Sequence, residues 1–231
     1  MDYYSGNLSG ERLRECYEVA PPRVRQYLEA EIEHVLERIG PGDAVIELGC
    51  GYGRVALELT PAAKRVVGID TASGSIALAR KLAGARTNCE FLEMDAIALE
   101  FPDGVFDVTV CIQNGVCAFH VAPDRLLHEA ARVTRSGGRV LMSSYAARFW
   151  KHRLRWFEIQ ADRGLVGEID LEATAGNTIV CLDGFRSGAM SPVEFEELCD
   201  RAGLTCVIEE VDGSSVFCEV VVPTRERGDD R

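Results

Sequence analysis

A glycine-rich loop and three acidic residues, each following a short apolar run, are the part of this 231-residue chain best suited to chemistry. The loop is Gly49-Cys50-Gly51-Tyr52-Gly53, and Glu47 precedes it in the run Ala44–Leu48. A glycine at every second position lets the backbone turn tightly and approach a ligand at van der Waals distance, which a β-carbon would prevent. A helix starting near Arg54 then presents unpaired N–H groups and a positive dipole end to whatever lies in the loop. Asp70 closes the next apolar run, Arg65–Asp70, with Thr71 after it, and Asp95-Ala96 follow Cys89–Glu93. Such strand ends are where an open α/β sheet holds a nucleotide-type ligand. Asp70 suits a pair of ribose hydroxyls, since a carboxylate accepts and does not donate, and Asp95 is positioned to accept from an exocyclic adenine amine.

Two cofactor classes compete for these residues. Nicotinamide dinucleotide sites use G-x-G-x-x-G with an acidic residue about 20 positions later. Here the loop is G-x-G-x-G, so the third glycine falls one place early. The third acid, Asp95, and an antiparallel hairpin closing the chain favour the other class.

The elements that must carry these residues alternate as strand and helix, the pattern of a mostly parallel sheet covered on both faces. The expected strands are Ala44–Leu48, Arg65–Asp70, Cys89–Glu93, Phe106–Ile112 and Arg139–Ser144. Helices are expected over Arg54–Thr60, Ser73–Ala83 and Pro123–Thr134, with Ser136-Gly137-Gly138 turning into the fifth strand. Ahead of them, residues 1–40 read as a helical cover. Ser9-Gly10-Glu11-Arg12 caps a short helix through Glu18, and Pro21-Pro22 restarts an amphipathic helix carrying Val24, Tyr27, Leu28, Ile32, Val35, Leu36 and Ile39. Residues 146–188 form an insertion within a domain spanning 41–222. It holds a helix over 146–163 and a strand pair, Gly164–Leu171 with Asn177–Phe185. A helix opened by Ser191-Pro192, with Pro in its first turn, runs to Ala202 and Gly203 ends it. Strands Leu204–Val211 and Ser215–Val222 meet at Asp212-Gly213, a hairpin signal, and the charged tail 223–231 is expected to fray.

In this order and spacing the motifs resemble the class I S-adenosylmethionine-dependent methyltransferases, small-molecule type. The matching residues are Glu47-Leu48-Gly49-Cys50-Gly51-Tyr52-Gly53, Gly68-Ile69-Asp70, Met94-Asp95-Ala96, Phe106-Asp107-Val108, Ser136-Gly137-Gly138 and the closing Asp-Gly hairpin. The resemblance implies a Rossmann-like, seven-stranded α/β methyltransferase sheet, mostly parallel with one antiparallel strand and helices on both faces. It also implies S-adenosyl-L-methionine as cofactor. Glu47 would hold its ammonium while Gly49, Cys50, Gly51 and Gly53 approach its methionine part. Asp70, with Thr71 beside it, would take the ribose hydroxyls. Asp95 and the Ala96 N–H would read the adenine, and Tyr17, Ile112 and Gln113 complete the cofactor side.

The methyl-acceptor side is expected in Gln113–His120, a loop leaving the fourth strand at its carboxyl end. Gln113-Asn114 looks like the Asn-containing loop of small-molecule methyltransferases, and the Asn/Asp-Pro-Pro-aromatic motif of the amino-adenine and amide-glutamine enzymes is missing. Asn114 and His120 are the catalytic candidates, His120 as a general base because histidine titrates near neutrality. Tyr4, Tyr17 and Tyr27 are candidates for a lid, and Phe149, Trp150, Trp156, Phe157 and Phe185 for an aromatic wall. The expected acceptor is a small molecule, nitrogen or oxygen favoured. Protein or thiol/metalloid acceptors stand as alternatives, as do an NAD(P)-dependent oxidoreductase and a non-catalytic partner subunit.

Composition narrows the remaining classes. Lys and Arg number 25 against 37 Asp and Glu, a net charge of −12, and the only basic run is Arg148–Arg155, so nucleic acid is not an expected partner. No apolar run approaches the ~20 residues of a membrane span. The nine cysteines include no C-x-x-C pair and the four histidines no ligand cluster, so no metal is expected and a reduced, cytoplasmic setting follows. The chain is expected to act as a monomer or homodimer.

Overall fold

The computed structural model describes residues 3–224. Helices α1 (Tyr3–Asn7), α2 (Glu11–Glu18) and α3 (Pro22–Leu36) precede strand β1 (Ala44–Leu48). Strand and helix then alternate through α4 (Arg54–Leu59), β2 (Arg65–Asp70), α5 (Ser73–Ala83), β3 (Cys89–Glu93) and β4 (Phe106–Cys111). A one-turn helix α6 (Gly115–Ala118), α7 (Pro123–Val133) and β5 (Thr134–Tyr145) follow. After a 3₁₀ turn come α8 (Trp150–Asp162), the two-residue strands β6 (Ile179–Val180) and β7 (Arg186–Ser187), α9 (Pro192–Arg201), β8 (Cys206–Val211) and β9 (Ser215–Val221).

The main sheet has seven strands in the order β3-β2-β1-β4-β5-β9-β8. Pairs among β1 to β5 are parallel, and β9 runs antiparallel to both β5 and β8, so a single strand opposes the rest. Parallel strands covered on both faces read as continuous apolar runs, and Val45, Ile46, Val66, Val67, Ile69, Val108 and Val110 are accordingly buried. One core packs Leu126, Leu127, Ala130 and Val133 of α7 and Phe195 and Leu198 of α9 on one face. A second core packs α3, α4 and α5 on the other. A third joins Leu8, Cys16 and Tyr27 to Tyr145, Phe149, Trp156, Phe157 and Phe185, locking the amino-terminal helices onto the segment after β5.

Several boundaries differ from expectation for local reasons. Within the expected capping stretch Ser9–Arg12 the cap of α2 is Gly10, at φ 58 and without a side-chain bond. Gly10 N–H donates instead to Ser75 Oγ, 3.0 Å away. β5 begins at Thr134, because Thr134 pairs with Phe106 and Arg139 with Val108, leaving residues 135–138 as a bulge. The expected strand pair after α8 reduces to the two-residue pairing β6–β7 and the bridge Ile169–Cys181. Backbone bonds from Asp170 N–H to Val180 O at 2.9 Å and from Leu182 N–H to Glu168 O at 2.8 Å flank that bridge, and side-chain bonds add to them. Buried Arg153 donates to Ser187 O and Oγ, to Gly188 O at 2.8 Å and to Asn177 O at 3.0 Å. The rest of the basic run, Arg148, Lys151, His152 and Arg155, is exposed, with Arg148 paired to Glu210 and Arg155 to Glu158. The expected opening of α9 is a full capping box between Ser191 and Glu194. The Tyr4 side chain and the tail beyond Thr224 lie outside the described residues. No described helix is long and apolar enough to cross a membrane.

Candidate active site

A cavity of about 290 Å³ lies over the carboxyl ends of β1, β2, β3 and β4. β1 and β4 adjoin where the strand order reverses, the point at which an open α/β sheet leaves a crevice. The glycine loop forms one wall. Gly49 and Gly51 take φ of 73° and 53°, a left-handed conformation that side chains resist. Gly51 N–H donates to Asp70 Oδ2 at 2.9 Å and Ala72 N–H to Asp70 Oδ1 at 2.8 Å. Asp70 therefore ties the loop to the start of α5. A carboxylate offers about four acceptor sites, so it can serve both the loop and a pair of ligand hydroxyls. Gly53 stands apart from the expectation. It caps α4, where a β-carbon would press on Phe91 and Ala79, and it does not line the cavity.

Glu47 sits at the base of the cavity, 5% exposed. Burial pushes its carboxyl up to about 7, against the Ala56 backbone N–H and the Arg54 guanidinium, which favour the charged form, and Asp70, which opposes it. Its Oε2 has no hydrogen-bond partner. An acid held in this state has an outward demand for a cation or donor. Arg54 reaches the same cavity and donates to Gln113 Oε1, with its guanidinium 4.7 Å from the centre of the Tyr17 ring.

Behind this wall stands Glu31, fully buried on α3. Its Oε2 accepts from Gln113 N–H at 2.7 Å and Ser143 Oγ–H at 2.9 Å, and its Oε1 from Ser215 Oγ–H at 2.5 Å. Burial raises Glu31 to about 7, with Ser215, Ser143 and the Gln113 N–H pulling the other way. Gln113 (φ 56) and Asn114 (φ 67) are thus held in the left-handed region at the mouth of β4. The Asn114 amide is engaged at both ends, donating to Gly188 O at 3.1 Å and accepting from Ser144 Oγ–H at 2.7 Å. It joins β4 to the segment after β7.

Of the expected residues, Tyr17, Glu47, Gly49, Cys50, Gly51, Asp70, Thr71, Asp95, Ala96, Ile112, Gln113 and Asn114 all line the cavity. Asp95 is exposed, with Oδ1 accepting from Ile97 N–H at 3.0 Å. Besides Gly53, the structure does not bring His120, Tyr27, Phe149 or Trp150 to the cavity lining. His120 is exposed and does not line the cavity, although Phe119 and Val121 on either side of it do; its backbone takes φ 52 and its side chain is left to solvent. Tyr27 packs within 5.4 Å of Tyr145 and 5.1 Å of Phe149 in the third core and stays outside the lining.

The far wall is aromatic. Trp156 packs against Tyr17 at 5.8 Å and donates its indole N–H to Cys16 O at 2.8 Å. Phe157 packs on Phe185 at 5.5 Å. Among these rings sits Gln160, 2% exposed, whose Nε2 has no partner. Gln160 and Arg54 were not legible as site residues from the sequence, whereas Phe119 lies within the expected Gln113–His120 segment and lines the cavity. A polar residue one turn beyond Trp156 and Phe157 on a buried face was the available signal for Gln160, and Arg54 directly follows the loop.

The sequence model described as "Methyltransferase domain" matches residues 46–142. A demethylmenaquinone methyltransferase of Thermus thermophilus is 41% identical over 105 residues, covering 44% of this chain and 46% of that protein. A 2-methyl-6-phytyl-1,4-hydroquinone methyltransferase of Synechocystis is 29% identical over 139 residues, covering 55% of this chain and 42% of that one. The chain thus spans about half the length of the curated relatives it matches. A solved structure described as a SAM-dependent methyltransferase, from Methanosarcina mazei, shares the fold with a TM-score of 0.63 at 18% identity, covering 83% of this chain and 97% of that chain. Glu47, Asp70 and Asp95 all fall inside the stretch that matches a methyltransferase domain, on a fold shared with that solved structure.

Proposed function

We propose that the protein transfers a methyl group from S-adenosylmethionine to a small planar acceptor through nitrogen or oxygen. The single observation that carries the cofactor half is the unpartnered, buried Glu47 Oε2 in a cavity also lined by Asp70 and Asp95. That set fits the group. Its methionine end carries an ammonium and a carboxylate, and Glu47 and Arg54 are the complementary pair. Asp70 would accept from the ribose hydroxyls and Asp95 from the adenine amine, with the Ala96 N–H toward the ring.

When bound, the cofactor supplies a methyl on a positively charged sulfur, a leaving group that needs no further activation. The chain's own residues then have to align the acceptor and exclude water, effects worth up to ~7–11 kcal/mol in favourable cases. Tyr17, Trp156, Phe157 and Phe185 offer flat apolar surfaces for a ring, and the Gln160 amide offers one donor toward an oxygen or ring nitrogen on it. The two relatives act, by name, on a menaquinone precursor and on a hydroquinone, which agrees with an oxygen-bearing ring. No histidine lines the cavity, so a proton released from the acceptor would leave through water or the cofactor-side carboxylates.

Calorimetric titration with S-adenosylhomocysteine and NADH tests the cofactor half. Binding of the first alone is expected, and NADH binding with no response to the first refutes the reading. For the acceptor half, a radiolabelled methyl donor offered with pooled cell extract identifies the product. Once it is known, Gln160→Leu should raise the acceptor KM roughly tenfold, as for one lost hydrogen bond, with S-adenosylhomocysteine affinity unchanged.

A further inference from the structure

Away from this cavity, three cysteines converge beneath α9. Cys206 pairs with Val220 across the β8–β9 hairpin and Cys218 with Ile208. Opposed and alternate residues share one face of a sheet, so both thiols project the same way. α9 lies on that face in the first core and brings Cys199 to them. The three Sγ atoms all lie within 4.8 Å of one another, and Cys199 and Cys218 are 3.6 Å apart. Among the described residues, no histidine or carboxylate joins the group.

Sulfurs bound to one ion at ~2.3 Å stand about 3.8 Å apart in a tetrahedron and about 4.0 Å apart in a trigonal plane. Cys199 and Cys218 stand close to that spacing, and the remaining separations, within 4.8 Å, need to close by less than an ångström. We propose that Cys199, Cys206 and Cys218 form a site for a soft, thiophilic cation, with copper(I) as the ion that fits it. Three thiolates without nitrogen or oxygen ligands select soft ions, whereas zinc in a structural site takes four protein ligands. Met142 is the β5 partner of Cys218, which puts a thioether on the same face and adds to the soft character. The surroundings are apolar, from Phe195, Leu198 and Val220. Cys206 is half-buried and Cys199 and Cys218 are buried, so an ion enters past Cys206 and bulk water takes the displaced thiol protons. No electron is transferred, and the bound ion staples α9 to the edge hairpin β8–β9.

The test uses the reduced full chain under anaerobic conditions, titrated with copper(I) against a colorimetric copper(I) chelator. Wild-type protein should withdraw one equivalent and melt at a higher temperature. Cys206→Ser should weaken retention roughly a hundredfold or more while still binding S-adenosylhomocysteine, which reports that the variant is folded. A second measurement needs no variant. Alkylation of Cys206, mapped by mass spectrometry, should slow at least tenfold with copper(I) bound, whereas Cys89, also half-buried, should react as before. Copper retention that is equal in wild type and in C199A/C206A/C218A overturns the site. So does unprotected Cys206 in copper-loaded protein, and zinc bound in preference to copper(I) overturns the ion.

Discussion

Replacing Glu47 by Gln keeps the volume of the side chain and an oxygen for the Ala56 N–H, and removes only the charge. The wild-type carboxyl stands at about 7, so it is half ionised at neutral pH and becomes fully ionised when it meets an ammonium. An opposite charge at about 4 Å gains ~4 kcal/mol at the effective dielectric of a partly buried site. A neutral amide oxygen recovers part of that, leaving a loss of ~2–3 kcal/mol, or roughly a hundredfold in affinity at pH 8. At pH 6 the wild-type group must first release its proton, at a cost of ~1.4 kcal/mol for one pH unit below 7. The gap between wild type and variant should therefore narrow to about tenfold at pH 6, with the variant nearly insensitive to pH. Isothermal titration with S-adenosylhomocysteine at pH 6, 7 and 8 in two buffers of different ionisation enthalpy measures both the affinity and the proton released. Equal affinity of the two proteins at pH 8, or a wild-type affinity flat across this range, refutes the assignment of Glu47 to the ammonium. The same substitution removes a buried unpartnered acid, so Glu47→Gln should melt at a higher temperature than wild type above pH 7 while binding worse.

Asp70→Ala should abolish detectable S-adenosylhomocysteine binding by calorimetry, because it removes the hydroxyl acceptor and the tie between Gly51 and Ala72; unchanged affinity contradicts its role. Glu31 is raised from the usual 4.5 to about 7, so the folded state holds its proton more tightly than the unfolded chain. Stability should thus be greatest near pH 4.5, fall by up to ~3 kcal/mol as pH rises to about 7, and level off above it. Urea unfolding across pH 5–8 should show that slope in wild type and a flatter one in Glu31→Gln; identical slopes remove Glu31 as its source. His120→Ala should leave turnover in the radiolabel assay within about twofold, since the ring is exposed and off the cavity, and a loss of a hundredfold or more would restore it as a base.

The sheet and the acidic and glycine residues that line the cavity were legible because each was local. Strand, acid and glycine loop are neighbours in the chain, and one register of a parallel sheet then brings Glu47, Asp70 and Asp95 together. The acceptor side was not, for reasons of side-chain reach. Arg153 reads as one cation in a basic run, yet the fold buries it among the carbonyls of Asn177, Ser187 and Gly188. The strand pair expected over 164–185 survives as the Ile169–Cys181 bridge with one backbone bond on each side. Glu31 reads as a polar break in an amphipathic helix, and its three partners are 82, 112 and 184 residues away. His120 lies between two cavity-lining residues, Phe119 and Val121, and spacing within a loop does not reveal the left-handed turn that leaves its own side chain outside. The cysteine cluster draws on three elements whose only order in sequence is proximity to the carboxyl end, with none of the short spacings that mark metal ligands.

The bonds of Glu31 also set when in the life of the chain the cavity can exist. Its carboxylate joins α3, the exit of β4, β5 and the first residue of β9, while Arg23 and Gln26 of the same helix each bond Asp212 at 2.6 Å. These are contacts of very long sequence separation, the kind that form slowly because the loop must close before it is rewarded. During synthesis the amino-terminal helix waits for a further 184 residues to be made before its buried acid meets Ser215. Binding competence should therefore appear late in refolding, after the parallel strands have paired, and in one step with the docking of the terminal hairpin.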